Sequence, residues 1–174
     1  MSTLTFELTP VSAIDAAEVA TLVNLAFARY EILNGDRTDV AGLLEEAGTS
    51  GEFLERRDAA GALIATAMIR PAADYYAAAG LPPGISAASA MYFGLAAIHP
   101  REMNGGLGGQ ILAEAEALAA RRGFSSIVLS TVREFGLVEY YARKGYIVVA
   151  HQDYAAGHWD IAVPHRTCDM VKGL

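Results

Sequence analysis

The chain has 174 residues, 53% of them hydrophobic and 19% charged, and its 13 Lys and Arg against 20 Asp and Glu leave a net charge of -7. That length suits one domain over 1–174, the composition excludes a disordered chain, and the acidic balance argues against a nucleic-acid partner, which would be held by clustered cations. No apolar run reaches the ~18 residues of a membrane span, the opening MSTLTFELTP lacks the regions of a signal peptide, and neither lone Cys168 nor the four histidines show metal-ligand spacing, so a cytoplasmic protein with no membrane contact and no metal is expected.

In chain order, Leu4, Phe6 and Leu8 alternate along Thr3 to Leu8 as a short half-buried strand that Pro10 ends. Val19, Leu22, Val23, Ala26 and Phe27 recur at helical spacing, with Ser12 or Asp15 as caps. Asn34-Gly35 breaks the pattern, and Val40, Leu43 and Leu44 resume it over Asp39 to Ala47. Glu52 to Arg57 and Leu63 to Arg70 read as a hairpin turning at Asp58 to Gly61. The stretch Pro71 to Ala90 is too long for a hairpin loop. Its Asp74-Tyr75-Tyr76 reads equally as part of a ligand pocket or as a short helix packed over the sheet.

Met91 to Ile98 is apolar throughout, as a central strand would be, and Gly94 within it marks a bulge or a close backbone approach. After His99 to Asn104 come Gly105, Gly106, Gly108 and Gly109, opening a helix whose stripe is Ile111, Leu112, Ala115, Leu118 and Ala119 and which Gly123 stops. A glycine loop at a helix N-terminus offers bare backbone N–H groups and partial positive charge to a phosphate. A P-loop needs Lys and Ser/Thr after its last glycine, whereas Gly109 is followed by Gln110 and Ile111. A dinucleotide fingerprint begun at Gly106 would need glycine at Ile111. Ser126 to Val132 is then a strand parallel to the one before the loop, by the right-handed crossover rule. A short helix carries Leu137, Val138, Tyr140 and Tyr141 up to Gly145, and Tyr146 to His151 with His165 to Lys172 closes the sheet as an antiparallel pair.

Two of these stretches resemble signature motifs of the GNAT superfamily, the acyl-CoA-dependent N-acyltransferases. Ile98-His99-Pro100 with Met103-Asn104-Gly105-Gly106-Leu107-Gly108 resembles motif A, although Met103 stands where the family usually has Arg or Gln. Tyr141, Gly145 and Tyr146 resemble motif B, with Glu134 and Leu137 in place of its Asn and Ala. The resemblance covers Met91 to Ala150 closely. It implies an α/β (α+β in some schemes) fold in which a mixed, mostly antiparallel sheet of about six or seven strands, with a splayed parallel pair, is flanked by about four helices.

The resemblance further implies acetyl-CoA as cosubstrate. It would be bound by Met103, Asn104, Gly105, Gly106, Leu107, Gly108 and Gly109, with backbone of Ala96 and Ile98 for the pantetheine arm and an N–H near Ala97 for the thioester carbonyl. Tyr141 would be the general acid, its phenol with a reference pKa of ~10 donating to the leaving thiolate. The base stays open: Glu134 is a weak candidate for it or for a cofactor contact, and Glu31, Asp74 and Tyr75 lie in segments that commonly line the acceptor cleft. Lys144 and Arg143 are candidates for a phosphate or for a solvated helix end. The acceptor would be a small-molecule or protein amine, with a homodimer left open. Three rival readings remain: a non-catalytic CoA-binding or regulatory module, which Met103 and Glu134 favour; an enzyme for another phosphorylated ligand; and a glycine turn with no ligand.

Overall fold

The computed structural model describes residues 5–47 and 50–174. Its sheet has seven strands: β1 (Glu7–Pro10), β2 (Glu52–Arg57), β3 (Leu63–Pro71), β4 (Ala90–Ile98), β5 (Ser126–Val132), β6 (Ile147–Tyr154) and β7 (His165–Gly173), in the order β1-β2-β3-β4-β5-β7-β6. Every pairing is antiparallel except β4 with β5. The helices are α1 (Ala16–Phe27), α2 (Val40–Ala47), α3 (Ala72–Tyr75), α4 (Leu107–Arg121) and α5 (Val138–Ala142), so the described residues hold one helix beyond the expected number. The extra one is α3, a single turn from the stretch whose composition left its structure open.

Local chemistry accounts for the element ends. The Asp15 carboxylate accepts from the N–H groups of Ala17 and Glu18 at 3.1 and 3.0 Å and starts α1. The β2–β3 turn is held by Asp58, which accepts from Ala60 and Ala62 at 2.9 and 3.0 Å, and by Gly61 at φ +87°. The first strand starts later than its alternation suggests. Thr3 and Leu4 lie outside the described residues, Phe6 packs on the core just before the strand begins, and Leu8 is exposed because β1 is an edge strand.

The sheet separates two cores. Val19, Leu22, Val23 and Ala26 of α1 pack on one face with Met68, Tyr92, Leu95 and Ala97. Ile111, Leu112, Ala115 and Ala119 of α4 pack on the other with Ile69, Met91, Phe93, Ile127 and Leu129. Covered on both faces, β4 carries the continuous apolar sequence of a central strand, and β3 is buried along its length with Thr66 and Arg70 among its apolar residues.

Two irregularities in β4 create space. The β3–β4 register slips between Thr66 and Met68, opposite a bulge where Leu95 takes φ +46°. Past this bulge Ala96 and Ile98 return to the α4 face while Leu95 and Ala97 belong to the α1 face. In addition β4 pairs with β5 only through Phe93↔Leu129, after which the two strands part. Gly94 sits at that point because a Cβ there would overlap the Tyr92 ring.

Candidate active site

The gap between the diverging strands opens into two cavities. The first, about 410 Å³, lies on the α4 side between the end of α1, β4, the glycine loop and α5. The second, about 320 Å³, lies toward α3, β5, β7 and the loop before β7. Phe27, Phe93, Ala96, Leu137 and Tyr141 line both, so the cavities meet at the splay.

One end of the first cavity is the glycine loop and the start of α4. Asn104 at φ +68° and Gly106 at φ +83° swing the chain into α4, and no side chain caps that helix. The first intrahelical bond runs from Gln110 N–H to Gly106 O at 3.1 Å, which leaves the N–H groups of Leu107, Gly108 and Gly109 at an uncapped positive helix end. Met103, Asn104, Gly106, Leu107, Gly108 and Gly109 all line the cavity. Gly105 does not, because its N–H closes the preceding turn onto Glu102 O at 3.3 Å.

Two cations border this cavity. The Lys144 ammonium stands above Gly109, 3.2 Å from where a Cβ would sit, and over the Tyr140 ring at 5.2 Å. Arg29, just past α1, reaches across to the loop, with Nη1 3.3 Å from Met103 Sδ and Nη2 donating to Tyr30 Oη at 2.6 Å. Sequence reading missed Arg29, yet it brings a guanidinium to the place where motif A carries its side-chain donor. An exposed arginine 74 residues before Met103 gives no local signal of that role. Arg143, the neighbour of Lys144, is exposed and lines neither cavity. Uncapped N–H groups, glycines without Cβ and two nearby cations form a cradle suited to a phosphate group.

Strand geometry corrects one assignment on β4. His99 N–H donates to Ile64 O at 2.9 Å, and an antiparallel ladder alternates direction residue by residue. The backbone groups of Ala97 therefore point at β3, whereas those of Ile98 point away from it, as does the Ala96 carbonyl across the shared peptide. Ala97, only 1% exposed, lines neither cavity. Ala97 therefore offers its N–H to β3 and not to the gap.

Tyr141 is half-buried at the junction, edge-on to Tyr140 and Tyr146 with centroids 5.2 and 5.8 Å away. Burial pushes its pKa up, so the phenol keeps its proton at neutral pH.

Aromatic side chains make up much of the second cavity's lining, which contains one carboxylate. Tyr75 stacks on Tyr92 at 3.5 Å between centroids, and Tyr76 stands edge-on to both at 4.8 and 6.0 Å. Tyr154 and Trp159, 5.8 Å apart, line the same cavity. The loop carrying Trp159 is tied down from the far side: the Asp160 carboxylate accepts from Thr38 N and Oγ1 at 2.7 and 3.0 Å, and Ala162 N–H donates to Ile32 O at 2.7 Å. Among the residues lining this cavity, Asp169 supplies the carboxylate. It accepts from Tyr76 Oη at 2.8 Å and lies opposite Ser130, the first β5 residue beyond the pairing with β4. Burial raises its pKa, opposed in part by the hydroxyls of Tyr76 and Ser130.

The expected acceptor residues fare unevenly. Tyr75 lines the second cavity, with Tyr76 beside it, and the stretch forms the short helix α3. Asp74 is on the same turn but lines neither cavity, and Glu31 is exposed away from both. Glu134 is also exposed and outside both; its Oε2 accepts from Arg166 N–H at 3.2 Å and tethers the 3-10 turn Arg133–Phe135 to β7. Asp169 carried no motif in the sequence, and only the sheet order brings it here.

No family model and no curated protein matches the chain. Solved structures do. A Lactobacillus plantarum protein assigned to the N-acetyltransferases is 21% identical with a TM-score of 0.66, the match covering 98% of this chain and 99% of that one. A GCN5-related N-acetyltransferase from Kribbella flavida is 16% identical at TM-score 0.64, with 98% of each chain covered. An aminoglycoside 6'-N-acetyltransferase complexed with coenzyme A is 13% identical at TM-score 0.61, with 96% of each covered. The chain has the GNAT fold.

Proposed function

We propose that this chain is an acetyl-CoA-dependent N-acetyltransferase acting on a primary amine by direct attack in a ternary complex. The observation that carries the reading is the junction: a phosphate-fitting cavity and an aromatic cavity meet at the splayed strands, with Ala96 and Tyr141 on both. One cavity for each substrate, open to each other, is what a direct transfer requires.

Acetyl-CoA, when bound, supplies a thioester carbon that the amine nitrogen attacks; the C–S bond breaks, and of the two protons the ammonium gives up, one goes to sulfur and one to solvent. Leu107, Gly108 and Gly109 offer N–H groups to phosphate oxygens, aided by the charges of Arg29 and Lys144. Tyr141 holds the proton destined for sulfur. Asp169 receives the ammonium and is the carboxylate through which its proton leaves.

The test is calorimetric titration with acetyl-CoA and with CoA, followed by turnover on a panel of primary amines. Micromolar binding of both with turnover on an amine is expected. Binding with no turnover across the panel supports the non-catalytic CoA-binding module instead, and no binding of either ligand withdraws the proposal.

A further inference from the structure

The aromatic cavity has a narrower chemistry than amines in general. Its volume of about 320 Å³ is at the small end of ligand pockets, too small for a folded acceptor to enter. Rings make up much of its lining: the stacked Tyr75 and Tyr92, the neighbouring Tyr154 and Trp159, and Phe135. Asp169 is the one carboxylate in its lining, and the one lining cation, Arg37, is already held bidentately by Asp39 at 2.9 and 2.6 Å. A second positive charge on a ligand would therefore meet no carboxylate and would lie in a cavity that already contains a guanidinium.

The register also sets where the ammonium sits. Asp169 is directly across from Ser130, one residue beyond the last β4–β5 pair, so its carboxylate is about one strand spacing, ~5 Å, from the gap. An amine held there is within reach of the junction, with the rest of the ligand against the rings.

We infer that the acceptor is a small, singly charged primary amine attached through a short linker to an aromatic ring, its ammonium on Asp169 and its ring among those of Tyr75, Tyr92, Tyr154 and Trp159. This rests on the transferase reading for the purpose of the site, while the choice of ligand rests on the cavity alone. Aromatic pairing supplies the ring affinity, and face-on rings also favour the neighbouring cation.

Trp159 is the single tryptophan of the chain and lines the cavity, so its fluorescence reads occupancy without acetyl-CoA. Titrations of the full chain with 2-phenylethylamine, spermidine and glucosamine should give a saturable emission change with the first at the lowest concentration. The Asp169→Asn variant, checked by its unchanged acetyl-CoA calorimetry, should bind phenylethylamine ~10-fold or more weakly. Tighter binding of spermidine or glucosamine, no saturable response to phenylethylamine, or an Asp169→Asn affinity equal to the parent's would overturn the inference. The two readings fail separately. Acetyl-CoA binding with no aryl-amine response removes only this inference, and an aryl-amine response with no acetyl-CoA binding keeps the amine site but removes the transferase.

Discussion

The two cavities meet at one pair of strands but recognise by different means. The first offers backbone N–H groups from one loop, 103–106, and the first turn of one helix. The second offers side chains gathered from α3, β4, β5, β6, β7 and the Trp159 loop. Backbone recognition constrains the chain where it happens and leaves a glycine spacing behind, since only glycine permits both the turn and the close approach. Side-chain recognition across a sheet leaves no local pattern.

The residue shared by both sides carries the largest expected effect. Tyr141→Phe should lower turnover ~10²-fold or more while acetyl-CoA affinity stays within about twofold, because the phenol meets sulfur only as the bond breaks. Single-turnover kinetics beside calorimetry separates the two quantities. Unchanged turnover would mean that Tyr141 is a packing residue and the proton comes from elsewhere.

A smaller effect should stay on one side of the junction. Gly106 is at φ +83° with open space around it, the nearest atom to a Cβ at this position being Gln110 Nε2 at 3.9 Å, so Gly106→Ala introduces strain without collision. That strain, ~1–2 kcal/mol, falls on the loop that presents the N–H groups. Acetyl-CoA affinity should drop ~10-fold with the Trp159 response to phenylethylamine unchanged. Loss of both would show that the cavities are coupled. Arg29→Ala is weaker still: its guanidinium is exposed, so a two- to fivefold loss of acetyl-CoA affinity is expected, fading as salt is raised.

What could be read in the sequence follows the same division. Val19, Leu22, Val23 and Ala26 announced α1 and Asp15 its cap, because helical periodicity and capping are local. The parallel β4–β5 pair followed from the crossover rule, and Gly94 signalled the bulge. That the Ala97 N–H faces β3 could not be read, since the register and bulge of β4 appear only when β3 is laid beside it. Glu134, Asp74 and Glu31 were suggested by their place along the chain, and each turns out to lie outside both cavities. Asp169 and Arg29 went unnoticed: one depends on β7 inserting between β5 and β6, the other on α1 ending beside a loop 74 residues later.

On stability the effect at Asp169 is small, and it draws the sharpest division between a residue that binds and one that holds the fold. Burial disfavours its charged form, so its folded pKa is above the unfolded value of ~3.9, and the folded chain binds that proton more tightly. Its contribution to stability is therefore greatest below the unfolded pKa and is lost as pH rises through the folded pKa, above which the fold bears the full cost of a buried charge. Asn at this position carries no such charge and still offers a carbonyl oxygen to Tyr76 Oη. Asp169→Asn should then leave Tm near that of the parent on the acid side and raise it by a few degrees at most above neutrality, as a Tm series across pH would record. The same substitution should weaken phenylethylamine binding over that upper range, where the parent carboxylate is ionised. A residue kept for packing would lose stability and binding together, whereas opposite signs in one variant mark a charge that the fold tolerates because a cationic ligand needs it.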